Sequence, residues 1–136
     1  MTAPAPARGR LLLVEPQFVL RRTVSTMARE MGLADVVEAT SIAAAERLLY
    51  EQRFDALLVA LDDEGGALEL VRRVRAGQSS QPADLPVAMM APACDLALAT
   101  RVRQLDICRL LLKPFKVRGM LDLIAALGAP AAPARG

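Results

Sequence analysis

Short runs of apolar residues alternate along the chain with segments of helical periodicity. The continuous runs Leu11 to Val14, Ala56 to Leu61 and Pro86 to Ala91 have the length of strands, and a shorter run begins at Val36. The mostly apolar segment Ile107 to Leu112 is predicted as the fifth strand. Between these runs, apolar residues recur at three- and four-residue intervals, which is the spacing of an amphipathic helix. Continuously apolar strands must be covered on both faces, so the pattern predicts an α/β fold. We expect a doubly wound, five-stranded parallel sheet with five helices.

Residues that start and stop helices stand at the expected boundaries of this alternation. Gly32 is placed to end the first helix, and Thr40 or Ser41 can cap the second. Asp95 can cap the fourth helix, and Pro114 stops the fifth strand. The last helix is expected from about Val117.

The two ends of the chain are rich in alanine and proline, unlike its middle. We expect disordered tails over 1–10 and 128–136 and one domain over 11–127, in a chain of 136 residues with 54% hydrophobic content. No apolar run approaches the roughly 20 residues that span a bilayer, and none resembles the core of a signal peptide. The expected location is therefore the cytoplasm, with no membrane contact.

Composition removes several kinds of chemistry. The chain contains no histidine, which excludes imidazole metal ligands and Ser-His catalysis. Its two cysteines, Cys94 and Cys108, are too few for the usual structural zinc site and are expected to be free thiols. The net charge of +2 and the low aromatic content of 3% do not suggest nucleic-acid binding, and no DNA contact is expected.

A parallel sheet of this kind places its functional crevice outside the carboxyl ends of the strands. Any chemistry is therefore expected at the residues that close the strands, which are Glu15-Pro16, Ala39-Thr40, Ala60-Leu61-Asp62, Ala91-Pro92 and Lys113-Pro114.

Five segments carry a resemblance to a known family. They are LLLVE at 11–15, FDALLVAL at 54–61, LELVRRVRA at 68–76, LPVAMMA at 85–91 and LLLKPF at 110–115. In their order and spacing the chain resembles the receiver domains of two-component response regulators, which have a flavodoxin-like fold. In that family, acids after the first strand hold Mg²⁺, an aspartate ending the third strand accepts a phosphoryl group, a hydroxyl ends the fourth strand and a lysine ends the fifth.

Carried over residue by residue, the resemblance implies a degenerate phosphorylation pocket. The acid pair falls on Glu15 and Pro16, the acceptor on Ala60, the hydroxyl on Ala91 and the lysine on Lys113. Proline and alanine supply no ligand and no nucleophile, so we expect no metal, no cofactor and no enzymatic activity. Lys113 is expected to pair with Glu15, with binding of an anion as the alternative. The resemblance implies a cis peptide bond before Pro114, and the alternative is a trans proline that simply stops the strand.

One alternative shifts the acceptor by two residues to Asp62. On an extended strand, Asp62 and Ala60 would point to the same side, provided that the strand continued toward Gly65. The other interpretation of Asp62, Asp63 and Glu64 is a solvated acidic turn, which we favour.

Basic residues gather on the elements that receiver domains commonly use for docking, namely the fourth helix, fifth strand and fifth helix. They are Arg101, Arg103, Arg109, Lys116 and Arg118. This face can engage an acidic protein surface or a phosphate, and the resemblance adds cyclic dinucleotides as one ligand class. The plainer interpretation is solvated charge for solubility, which we also apply to the first-helix residues Arg21, Arg22 and Arg29.

Together these observations predict a stand-alone, degenerate receiver domain in two-component-type, bacterial-type signalling. It would act as a phosphorylation-independent protein-binding module, with another signalling protein as partner on the face just described and homodimerisation as an alternative. Binding of a phosphate or cyclic dinucleotide, and phosphorylation at Asp62, remain the other functional hypotheses.

Overall fold

The computed structural model of the chain describes residues 9–128, which form five strands and five helices in strict alternation. The strands are β1 (Arg10–Val14), β2 (Asp35–Ala39), β3 (Ala56–Ala60), β4 (Val87–Ala91) and β5 (Arg109–Leu112). The helices are α1 (Phe18–Glu30), α2 (Ile42–Glu51), α3 (Gly66–Arg75), α4 (Leu96–Gln104) and α5 (Val117–Gly128). Arg10 and Gly128, which the sequence assigns to the tails, lie in β1 and α5, and the tail residues 1–8 and 129–136 lie outside the described residues.

The strands form one parallel sheet in the order β2-β1-β3-β4-β5. Leu12 of β1 lies between Val37 of β2 and Leu57 of β3, so the centre of the sheet is continuously apolar. β2 lies on one side of β1, and β3, β4 and β5 lie on the other, so the strand order switches between β1 and β3. The predicted doubly wound α/β fold is confirmed.

Alternating strand residues build a separate core layer on each face of the sheet. Leu12, Leu57 and Met89 pack with buried residues of α2, α3 and α4. The residues between them in sequence, such as Leu58 and Met90, pack with buried residues of α1 and α5 on the opposite face. Each large side chain that is fully buried in this way stabilises the fold by about 1.5–3 kcal/mol.

The residues that the sequence identifies as helix boundaries act as such. Gly32 has a φ of +67° just after α1, and the next residue, Leu33, donates its N–H to the carbonyl oxygen of Ala28 at 2.9 Å. The hydroxyl of Ser41 accepts a hydrogen bond from Ala44 N at 3.1 Å, so Ser41 caps α2. Asp95 caps α4, and its carboxylate accepts from the N–H of Leu98 at 2.8 Å.

Several predicted strand limits are wrong by one or two residues. β2 begins at Asp35 and β4 at Val87, where the sequence predicts Val36 and Pro86. β5 begins at Arg109, not at Ile107, because Ile107 N donates to the carbonyl of Val102 at 3.0 Å and so still belongs to the turn that ends α4. Asp106 adopts a φ of 54° in that turn. β3 ends at Ala60, one residue before the predicted Leu61.

Cys94 and Cys108 are both free thiols, as predicted.

Among residues 9–128, none of the helices combines the length and the apolar character needed to cross a bilayer.

Candidate functional site: the cleft at the carboxyl ends of the strands

A cleft of about 510 Å³ lies at the carboxyl ends of β1 and β3, beside the switch in strand order. Its lining includes Glu15 and Pro16 after β1, Ala60 at the end of β3, Asp62 after it, and Lys113 after β5. The crevice therefore lies where the sequence predicts it, and five of the predicted site residues meet there.

An ion pair between Glu15 and Lys113 crosses the cleft. Lys113 Nζ lies 2.5 Å from Glu15 Oε1, while the second carboxylate oxygen accepts from Gln17 N at 3.2 Å. The Glu15 side chain is only 1% exposed and that of Lys113 is 21% exposed. Removing a carboxylate from water is costly, so the ammonium group is its necessary counter-charge. The predicted pair is confirmed, and the Lys113–Pro114 peptide bond is cis as the resemblance implies.

The other positions of the predicted pocket offer no polar group. Pro16 is exposed at the mouth of the cleft, and Ala60 contributes only a methyl group to its wall. Ala91 is fully buried in the core layer with Met89 and does not line the cleft.

A magnesium ion does not fit this set of side chains. Mg²⁺ binds carboxylates in octahedral geometry with water, and the carboxylate of Glu15 is already committed to Lys113. Pro16 and Ala60 add no ligand, and within residues 9–128 no group of three or more acidic or thiol side chains is arranged to hold a metal.

Asp62 has a structural contact that the sequence did not predict. Its Oδ2 accepts from Gly66 N at 3.0 Å and its Oδ1 accepts from Ala67 N at 2.8 Å, so the carboxylate satisfies the first turn of α3. A Cβ atom at Gly66 would lie 2.9 Å from Asp62 Oδ2, which explains the glycine. The favoured interpretation of a freely solvated turn holds for the exposed Asp63 and Glu64 but is wrong for Asp62.

The strand does not continue past Ala60 in the way that a shifted acceptor requires. Leu61 and Asp62 are irregular, a turn follows, and Gly65 has a φ of +77° directly before α3. Asp62 lines the cleft, and both of its oxygens are engaged by backbone N–H groups of α3.

Three arginines of α1 surround Glu38 of β2, and one of them, Arg21, also contacts Glu15. Arg21 Nε is 3.1 Å and Arg22 Nη1 is 2.7 Å from the Glu38 carboxylate, and Arg29 Nη2 is 3.7 Å away. Arg21 also donates to the carbonyl oxygen of Glu15 at 2.9 Å, which connects α1 to the end of β1. The interpretation of these arginines as charge for solubility is wrong for Arg21, which is 8% exposed.

The environment of Glu38 favours its ionised form. Burial alone would raise the pKa of Glu38, but the hydroxyl of Ser25 and the guanidinium groups of Arg22 and Arg21 outweigh this effect and lower it. One signal in the sequence points to this cluster: Glu38 is an acid that follows two valines within a short strand, and that strand follows an arginine-rich helix.

The predicted partner face differs from that cluster in its contacts. We call the exposed side chains of Arg101, Arg103, Arg109, Lys116 and Arg118 the basic face. Between residues 9 and 128, none of these five side chains forms an ion pair or donates a hydrogen bond within the chain. All five positive charges are therefore available to solvent or to a partner.

Solved structures of receiver domains are similar to this chain over nearly its whole length. The non-phosphorylated HemR receiver domain from Leptospira biflexa superposes with a TM-score of 0.80 at 22% identity, covering 93% of this chain and 99% of that one. A response regulator receiver protein from Pseudomonas putida has a TM-score of 0.76 at 27% identity, covering 90% and 99%.

A third similar structure is the receiver domain of a sensor histidine kinase from Pseudomonas aeruginosa, which has a magnesium ion coordinated in its active-site cleft. Its TM-score is 0.71 at 23% identity, covering 90% of this chain and 100% of that one. No family model matches the chain, and no curated protein matches it. These likenesses establish that the chain has the receiver fold.

Proposed function

We propose that this chain acts in two-component-type signal transduction as a phosphorylation-independent receiver domain that binds another signalling protein. In this proposal it works in the cytoplasm, catalyses no reaction and uses the basic face for docking.

The observation that carries the proposal is the methyl group of Ala60 at the end of β3. Phosphoryl transfer to a receiver requires a nucleophilic oxygen, and a metal and a cation that neutralise the transferred charge. Here Ala60 supplies no oxygen, and the one cation of the cleft, Lys113, already neutralises Glu15.

A domain without a phosphoryl group has no ligand whose binding would distinguish two conformations at this site. The Glu15–Lys113 pair instead joins the ends of β1 and β5. Such a domain offers a fixed surface, and the charges of the basic face, which form no ion pair among the described residues, favour that surface for partner binding.

A small-molecule phosphodonor tests the proposal. The protein is incubated with acetyl phosphate and Mg²⁺, and the intact mass is measured; we expect no gain of a phosphoryl group. The comparison variant carries Pro16→Asp and Ala60→Asp, which restore carboxylates at both positions, and it is run beside an ordinary receiver domain that verifies the donor. Phosphorylation of the unaltered chain would overturn the proposal.

Asp62 is the second candidate because it is a carboxylate in the wall of the same cleft. If the intact mass does increase, the variant Asp62→Asn decides whether Asp62 is the acceptor. Asparagine keeps one oxygen, which can accept from one of the two N–H groups of Gly66 and Ala67, but it cannot form the acyl phosphate. Loss of labelling in this variant would assign a phosphoacceptor function.

The five unpaired cations also favour a phosphate-bearing ligand as a further candidate, because guanidinium groups suit phosphate oxygens. Calorimetry with a panel of linear and cyclic nucleotides tests this function. Heat of binding that disappears in the variant Arg101→Glu/Arg109→Glu would support a nucleotide effector in place of a protein-binding module.

A further inference from the structure

We propose that the free edge of β5, together with the basic face, binds an acidic, extended segment of a partner protein, which adds a sixth strand to the sheet. This inference rests on the proposed function only in its use of this face for binding.

The first observation is the unpaired edge of the sheet. β5 is the last strand in the sheet order and pairs with β4 on one side, and within the described residues no strand pairs with its other side. The N–H and C=O groups of such an edge can hydrogen-bond an added strand. At the two ends of β5, Arg109 is exposed and Leu112 is 48% exposed, so the edge is accessible.

The second observation is a concentration of positive charge around this edge. The segment 92–128 contains six basic side chains against three acidic ones, a net charge of +3 in a chain whose total is +2. Two of the three acids have roles of their own. Asp95 caps α4 through Leu98 N, and Asp106 interacts with Arg75, which also donates to its carbonyl oxygen at 3.2 Å.

The third observation is the arrangement of the charges on both sides of the edge. Leu98 and Leu105 pack α4 into one core layer, whereas Met120 and Ile124 pack α5 into the opposite layer. The helices α4 and α5 therefore flank β5 on opposite faces of the sheet. Alternate side chains of an added strand point to opposite faces, so acids at successive positions would meet cations on each side.

The shape of the surface favours a polypeptide over a nucleotide. Small ligands bind in concave sites, but the basic face lines neither the cleft at Glu15 nor the apolar groove of about 760 Å³ between Phe18 and Phe115. Leu112 and Val117, which are 48% and 45% exposed, add apolar contact area next to the edge. The segment that fits is therefore acidic with interspersed apolar residues.

A random peptide library selected on the immobilised full chain tests the inference. We expect enriched peptides with net negative charge, in which acids at adjacent positions are interspersed with apolar residues. The affinity of a synthesised peptide is then measured by fluorescence anisotropy against two variants with the same change in net charge. Arg109→Glu/Lys116→Glu alters the basic face, whereas Arg47→Glu/Arg53→Glu alters two exposed arginines on and just after α2.

The basic-face variant is expected to bind the peptide about tenfold or more weakly, and the α2 variant to match the unaltered chain. The affinity should fall as salt is raised. Methylation of alternate peptide nitrogens should abolish binding in one of the two alternations, because only one set of N–H groups faces β5. Circular dichroism checks that both variants are folded.

Equal weakening in both variants, equal binding of both methylated peptides, or no enrichment of acidic peptides would overturn the inference. So would release of the peptide by a cyclic dinucleotide, which would assign the face to a nucleotide. None of these results depends on phosphorylation. Labelling by the phosphodonor would overturn the proposed function while leaving the peptide result intact.

Discussion

The charged side chains at the two edges of the sheet differ in their ion pairs. At the β2 edge, Glu38 lies against three arginines of α1, and Asp35 lies 3.9 Å from Arg10. At the β5 edge, the basic face forms no ion pair among the described residues. Arginines at the β2 edge thus form ion pairs that stabilise the fold, whereas those at the β5 edge form none among the described residues. The number of arginines in the sequence does not distinguish these two roles.

Lys113 and Lys116 show the same difference within three residues. Lys113 is paired with the buried Glu15, whereas Lys116 is exposed and belongs to the basic face. The loop after β5 therefore carries one paired lysine and, among the described residues, one unpaired lysine. Substitutions that change the free energy of unfolding identify the side chains that stabilise the fold, and substitutions that do not change it identify those that are free for binding.

The largest effect is expected for Lys113→Met. Removal of the ammonium group leaves the Glu15 carboxylate, which is 1% exposed, without its counter-charge. Loss of one partner of a buried ion pair costs about 3 kcal/mol. The measurement is the free energy of unfolding in urea at neutral pH.

Lys116→Met is the matched control, because it removes the same side chain from an exposed position in the same loop. It is expected to change the free energy of unfolding by no more than about 0.5 kcal/mol. Equal losses in the two variants would mean that Glu15 does not depend on Lys113.

A smaller loss is expected at the β2 edge for Glu38→Ala. The Glu38 side chain is 14% exposed, Arg22 and Arg29 are about half exposed, and the buried Arg21 keeps its hydrogen bond to the carbonyl oxygen of Glu15. We therefore expect a loss of about 2 kcal/mol in the free energy of unfolding. Glu64→Ala, which removes an exposed carboxylate from the turn before α3, is the control and should be nearly neutral. A neutral Glu38→Ala would remove the distinction between the two edges.

The pH dependence of stability sharpens this result. The pKa of Glu38 is lowered in the folded state from its ordinary value of 4.5, because Ser25, Arg22 and Arg21 outweigh the effect of burial. The stabilisation is therefore fully present above pH 4.5 and is lost as the pH falls through the lower, folded-state pKa.

The difference in unfolding free energy between the unaltered chain and Glu38→Gln should accordingly be constant near neutral pH and shrink in acid. Urea titrations across this range measure it. A difference that grew on acidification would mean that Glu38 is not held in its charged form.

The sequence predicts the fold well because its signals are local and repeated. Continuous apolar strands and boundary residues such as Gly32, Ser41 and Asp95 each specify their element independently. The Glu15–Lys113 pair was also predictable, since parallel strands bring their carboxyl ends to one edge.

The contacts of Asp62 and Glu38 were not predictable in the same way. Asp62 turns toward α3 because two N–H groups of that helix lie in reach, which depends on the path of the loop. Glu38 contacts its arginines through the packing of α1 against β2. The sequence marks Glu38 as an acid within a short strand, but it does not specify which arginines reach the carboxylate.

The smallest effect is expected for Arg118→Glu at the β5 edge. Arg118 is exposed in the first turn of α5, has no ion-pair partner among the described residues and lies in a segment with net charge +3. Its reversal removes repulsion and places an acid near the N-terminus of a helix, so we expect a stabilisation of a few tenths of a kcal/mol at low salt that shrinks at high salt. Arg22→Glu, which places a second acid beside Glu38, should destabilise the fold under the same conditions. Thermal unfolding of the two variants at low and high salt measures both changes, and a destabilising Arg118→Glu would mean that the basic face is held by contacts of its own.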